Sequence, residues 1–375
     1  NKSMLKYRIM KPSSLIFPMV ILLFFSLSPV FAEGLNEKEY SDIFHYYGRP
    51  AEKFSIVYDL NSSIESRIKS IPSDILEKYR EEDRQLLNDK INYNSYKVQA
   101  SEMQSLSSFL KLLPESYTEI LKKKLIGIFF VEGFLGGGLT DWLLKDDENE
   151  MYYIILLNSD ILKKSFSEWE TEKYSSAFMK SAGDDGYRLK IQTDDSIKAF
   201  FHILIHETAH IVDSENTETP YSHIFHAQYR RGLGKTVPSS TEFTSPVWIS
   251  FSSPIEEYEY AFRDEINFYA MNQKRPILNN NLMLPVFESL KKTGFVSLYG
   301  AKTWTEDFAE ISAFYFMKNI LKIDYKVNIY NGNSIVYEYE PMKSEKAISR
   351  FRHIEKYYSG KNSGIFRRMK KDSWK

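Results

Sequence analysis

The chain has 375 residues, enough for one large domain or two small ones, and its 43% hydrophobic and 15% aromatic content can build a substantial core. A formal charge of −1 gives no ground for a nucleic-acid partner. The lack of cysteine excludes disulfides and a lipid carried on cysteine.

Residues 1–32 read as a secretory signal peptide. Lys2, Lys6, Arg8 and Lys11 precede an apolar run from Leu15 to Leu27, and Val30 and Ala32 stand at −3 and −1 of a cleavage point before Glu33. Removing the segment takes away four positive charges, giving −1 − 4 = −5 for the mature chain. An uncleaved membrane anchor is the rival reading, against which stand the short apolar core and its interruption by Pro18 and Pro29. The expected location is therefore the periplasm or the exterior, with membrane contact only through an uncleaved N-terminal segment.

Residues 33–100 form a polar region of helical pattern, either a prosegment or part of the domain. Helix starts are expected at Asn61-Ser62 and Ser73-Asp74. Residues 101–360 then make the main domain. Ser101 to Lys124 has helical spacing and Leu125 to Val131 is a short apolar strand. Gly136-Gly137-Gly138 is a break, and strands Leu139 to Leu144 and Met151 to Leu157 flank an acidic turn, Asp146 to Glu150. That turn lacks the spaced acids and glycine of an EF-hand loop, so it reads as solvated. Asn158-Ser159 caps another helix, Gly183 to Gly186 is a loop and Tyr187 to Ile191 a strand. Thr193 is expected to cap the next helix, with Asp194 and Asp195 in its first turn. Ser214 to Pro254 reads as loop. Ile255 to Met271, Pro285 to Lys292, Thr303 to Leu321 and Glu345 to Tyr358 read as helices. Tyr325 to Tyr330 and Ser334 to Tyr339 alternate around Asn331-Gly332-Asn333, a hairpin signal. Residues 361–375 are a basic tail, either simply solvated or able to attach to anionic surfaces.

One segment carries chemistry. His206-Glu207-Thr208-Ala209-His210 lies inside an apolar run from Ile197 to Val212. Residues four apart share a helix face, so His206 and His210 can aim two imidazoles at one metal ion. Glu207 stands where it can act on the attacking water, the arrangement of zinc hydrolases. The alternative is a buried helix with satisfied core histidines. His202, one turn earlier, reads as a core histidine or as support for a ligand. Asp213, one turn after His210, either orients a ligand imidazole or is a polar helix end. His226 or Tyr229, in the loop that also holds His223, could reach substrate.

A catalytic zinc usually takes a third protein ligand. A metzincin pattern would need histidine at 216, where Asn216 stands. A thermolysin-like spacing fails because nothing acidic lies between Glu218 and Glu242. Far downstream runs Ser297-Leu298-Tyr299-Gly300-Ala301-Lys302-Thr303-Trp304-Thr305-Glu306-Asp307-Phe308-Ala309-Glu310. Together with His206-Glu207-x-x-His210, this stretch resembles the gluzincin metallopeptidases, and among them most the group around the catalytic domain of anthrax lethal factor. The likeness covers two short motifs. It implies Glu306 as third zinc ligand, Tyr299 as a hydroxyl near the metal that steadies the tetrahedral intermediate, and Glu310 as a support for the ligands. Lys302-Thr303-Trp304 departs from the usual Thr-Asn of that family. A competing reading needs no metal: Thr303-x-x-Glu306 is a helix capping box. Glu265 is the spare candidate for third ligand.

The resulting expectation is a zincin-like α+β fold. A twisted sheet with an antiparallel edge strand packs on the motif helix, and a mainly helical second half brings Glu306 to the metal. The expected activity is zinc-dependent hydrolysis of protein or peptide substrates. Two alternatives are another zinc hydrolase acting on cell-wall peptide or amide bonds, and a catalytically silent exported zinc-binding protein.

Overall fold

The computed structural model describes residues 58–87, 91–145, 150–179, 186–221, 230, 236–271 and 277–358. The expected signal peptide, the start of the N-terminal region, the acidic turn at 146–149, the loop around His223, His226 and Tyr229, and the basic tail lie outside the described residues. Among the described residues no helix is long and apolar enough to cross a membrane.

The elements are mixed α and β. The first half contains β1 (Ile68–Lys69), α1 (Ser73–Leu87), β2 (Asn94–Ser95), α2 (Ala100–Leu110) and α3 (Glu115–Lys124). Then come β3 (Leu125–Glu132), β4 (Gly138–Lys145), β5 (Glu150–Asn158), α4 (Phe166–Ser175), β6 (Phe178–Met179) and β7 (Tyr187–Gln192). The motif helix α5 (Phe200–Asn216) opens the second half, followed by β8 (Trp248–Ser250), β9 (Ser253–Pro254), β10 (Leu278–Asn279) and α6 (Met283–Leu290). Helix α7 (Trp304–Tyr315), the hairpin β11 (Lys326–Asn331) and β12 (Ser334–Tyr339), and α8 (Glu345–Tyr358) complete the described residues.

The main sheet has the order β1-β3-β5-β4, with β2 also paired to β3. β1, β3 and β5 are parallel, and β4 closes one edge antiparallel to β5. β3 and β5 are near-continuous apolar runs because both their faces are covered. Phe130, Ile155 and Leu157 point into the core shared with α5, whereas Phe129, Ile154 and Leu156 point into a second core closed by Ile75, Leu76 and Tyr79 of α1. The alternation is the period-2 geometry of a strand. A second sheet, β12-β11-β7, is antiparallel throughout.

The described part of the N-terminal region, from residue 58, joins this architecture. Besides β1 and β2 in the sheet, the buried Arg67 guanidinium donates to the carbonyls of Leu60, Ser62, Leu121 and Leu125, tying residues 60–67 to the α3–β3 junction.

Three expectations need correction. Thr193 does not cap the motif helix, which starts six residues later than such a cap implies, at Phe200 after Ala199. Lys198 is bridged to Ser165 by the bonds Phe166 N–H to Ile197 O (2.7 Å) and Ala199 N–H to Lys164 O (3.1 Å), which take up the backbone groups a helix through 197–199 would use. Ile255 to Met271 is not one helix but three single turns, at 256–258, 263–265 and 268–270, with Phe262 at a φ of 69° between the first two. Its carbonyls are used elsewhere: Lys302 Nζ donates to Arg263 O and Ile266 O. The helical stretch at 101–124 is two helices, divided at Pro114. The helical segment expected at 303–321 is present, as α7 followed by a π-turn at 316–320.

Candidate metal centre

Helix α5 is buried all round over residues 200 to 209. Such a helix belongs in the middle of a protein, so its histidines and Glu207 need polar partners there. Helix α7 packs against it and supplies the partners of the histidines. Thr303 caps α7, its side-chain oxygen accepting from Glu306 N–H at 3.3 Å. The Glu306 carboxylate does not complete the capping box. It faces the motif: Oε2 lies 3.1 Å from His206 Nε2 and 3.7 Å from His210 Nε2, and the two Nε2 atoms are 3.2 Å apart. A tetrahedral ion with bonds of about 2.1 Å has ligand-to-ligand edges of ~3.4 Å. The three observed separations bracket that value, so His206, His210 and Glu306 can hold one metal ion.

A second trio, His202, His206 and Glu310, also has its donor atoms close together. Glu310 Oε1 lies 2.9 Å from His206 Nδ1 and 3.2 Å from His202 Nε2. The carboxylate accepts a hydrogen bond from His206 Nδ1–H, which in the neutral ring leaves Nε2 as the lone-pair atom on the metal side. His202 is stacked on Phe166 with ring centroids 4.7 Å apart and meets the edge of Phe314 at 5.1 Å, which fixes it behind Glu310. Gly300 makes this approach feasible, because a Cβ there would lie 3.2 Å from Glu310 Cβ.

Glu207 points to the sheet edge. Thr140 of β4 places its hydroxyl 2.8 Å from Glu207 Oε2 and 2.8 Å from the Glu207 carbonyl, so it donates to one of them at a time. At Gly138 a Cβ would come within 2.7 Å of Glu207 Oε1, so glycine lets the strand pass the carboxylate. Burial raises the Glu207 carboxyl above its ordinary value, although His206 and His210 oppose the shift.

The remaining electrostatics follow burial and pairing. Burial alone would lower His206, but hydrogen bonds to Glu306 and Glu310 outweigh it and take the imidazole up to about 10. Burial would raise Glu306, but His210 and His206 hold it down at about 2. Tyr299 is pushed well above 10 by burial and then by Glu306 and Glu207, and its ring centroid is 5.6 Å from that of His206. Asp213 rises to about 7 through burial, against the hydrogen bonds from Thr219. Its carboxylate accepts from Thr219 N–H (2.6 Å) and Thr219 Oγ1 (2.8 Å), and bears on His210 through charge.

Glu265 is exposed on a single turn, which removes the spare third ligand. Several neighbours of the site carried no sequence signal. Thr140 is one ordinary strand residue. Glu170 and Lys173 lie on α4, where Lys173 Nζ sits 4.4 Å from the Tyr299 ring centroid and 3.5 Å from Glu170 Oε1. Asp307, next to Glu306, is fully buried and receives Trp248 Nε1–H at 2.8 Å and both terminal nitrogens of Arg350, Nη1 at 2.8 Å.

No protein-family model matches the chain, and no curated protein or solved structure matches it either.

Proposed function

We propose that this chain is an exported zinc-dependent peptidase with a zincin-like fold. The observation that carries the reading is the convergence of Glu306, a hundred residues downstream, on His206 and His210, with Glu207 beside them on the sheet edge. Two imidazoles and one carboxylate are a donor set that zinc accepts, whereas calcium and magnesium favour sites built from oxygen alone. Three protein donors leave room for a reacting group, and a purely structural zinc site would close its fourth position.

When bound, zinc would supply Lewis acidity, acidifying water and polarising the scissile carbonyl. Glu207 takes a proton from the attacking water and passes it to the leaving amine. Its raised carboxyl value suits that exchange, and Thr140 keeps the carboxylate aimed. The Tyr299 hydroxyl donates to the oxygen on which negative charge develops, and its high value keeps it protonated at neutral pH. Glu310 holds His206 in one tautomer and orientation. The edge of β4 not paired to β5 can take an extended peptide through backbone hydrogen bonds, next to Glu207.

The test is metal analysis of the purified protein together with a peptide-library digest of wild type and Glu207→Gln. The variant should keep its zinc and lose roughly a hundredfold or more in turnover. Equal turnover in the two proteins would end the assignment of Glu207 as base.

A further inference from the structure

Lys173 has no part in the motifs, yet it sits against the candidate centre. Its side chain comes from α4 and is only 13% exposed. Nζ lies over the face of Tyr299, 4.4 Å from the centroid, and 3.5 Å from Glu170 Oε1. Glu170 is fully buried, with the Tyr325 hydroxyl 3.5 Å from its other oxygen. The charge of Lys173 also acts on Glu306 and Glu310. A buried lysine is costly unless paired, and this one is paired to a single carboxylate at the long end of contact. Nζ also lies 5.8 Å from the ring centroid of its neighbour Tyr174.

We propose that Lys173 is a built-in cation of the metal centre and a positioning residue for Tyr299. The ammonium on the ring face holds the aromatic plane by cation–π attraction. It also draws electron density from the phenol, which makes the hydroxyl a stronger donor to a developing oxyanion. At the same time its charge offsets part of the negative charge of Glu170, Glu306 and Glu310, so it competes with a bound divalent cation. The two effects have opposite signs: Lys173 weakens metal affinity and strengthens catalysis. The catalytic half rests on the peptidase reading above; the metal half requires only that zinc binds.

The experiment compares full-length wild type, Lys173→Met, Lys173→Arg and the double variant Lys173→Met/Glu170→Gln. The double variant removes both charges and so protects the fold from an unpaired Glu170. Zinc affinity is read by competition with a chromogenic chelator, and kcat and KM on a peptide from the library digest. Lys173→Met should bind zinc more tightly, by roughly tenfold. Its kcat should fall by about tenfold or more with KM little changed. Lys173→Arg should restore most of kcat, because a guanidinium also stacks on an aromatic face. In a Tyr299→Phe background, Lys173→Met should cost almost no further kcat. Should Lys173→Met fail to fold, the double variant carries the same two expectations, with the loss of Glu170's charge moderating the gain in zinc affinity. Parallel loss of zinc affinity and activity, in proportion to lost stability, would overturn the proposal and leave Lys173 a packing residue. Unchanged kcat would overturn the Tyr299 role. A wild type that binds zinc but cleaves no peptide would defeat the peptidase reading, while the zinc titration would still decide whether Lys173 is the centre's cation.

Discussion

Glu306 carries two local roles that sequence spacing alone could not separate. Its backbone N–H belongs to the Thr303 cap, and its carboxylate belongs to the histidines. The two roles are separable by mutation. Glu306→Gln should abolish zinc binding and activity together, because a neutral amide is a much poorer ligand than a carboxylate. Thr303→Ala should cost about 1 kcal/mol of stability yet leave zinc in place. Chelator competition and denaturant unfolding of the two variants check this, and unaltered zinc affinity in Glu306→Gln would refute the third-ligand assignment. The pair His206 and His210 was legible because the four-residue spacing alone puts them on one helix face. Thr140 was not legible, since a single threonine on a strand says nothing about which carboxylate lies opposite.

At the level of elements, the centre depends on where α7 starts. Asp307 anchors that start to α8 through Arg350 and to β8 through Trp248. Removing Arg350 would strand a fully buried carboxylate. Arg350→Met should therefore destabilise the protein by about 3–5 kcal/mol, more than its lost packing accounts for. Adding Asp307→Asn should recover part of that loss, because the charge left unpaired is removed with its partner. Urea unfolding of the single and double variants measures it; an additive further loss in the double variant would show that Asp307 and Arg350 are not coupled. Element boundaries were readable where periodicity was local, as in the hairpin β11–β12 with its Asn-Gly turn. They were not readable where a distant side chain took over the backbone, as Lys302 does at residues 263–266.

Across the whole molecule, the chain just past the motif helix is fastened to α8 by a second polar cluster. Glu218 accepts from His353 at 2.6 Å, from Lys356 at 2.9 Å and from the Tyr357 hydroxyl. Burial alone would raise the Glu218 carboxyl, but these partners hold it down at about 2 against an ordinary 4.5. A depressed carboxyl contributes stability that is complete above its unfolded value and lost as pH falls through its folded one. Wild type should thus lose this contribution between about pH 4.5 and pH 2. Glu218→Gln should be less stable at neutral pH and show a shallower fall over that window. Unfolding free energies measured at several pH values decide it, and superimposable acid limbs would exclude Glu218 as a source of the dependence.

The sequence by itself determined the apolar runs of β3 and β5, the hairpin, the helix that bears His206, Glu207 and His210, and the acidic first turn of α7. Each of these is written in neighbouring residues, through a period of two or 3.6 or through turn chemistry. Only the tertiary structure decided that α7 packs on α5 with Glu306 and Glu310 facing the histidines, that Thr140 meets Glu207, and that Lys173 lies on Tyr299. Periodicity reports which face of an element is buried and leaves open what that face meets. Those meetings join residues dozens to more than a hundred positions apart, and they are selected by the packing of the whole core.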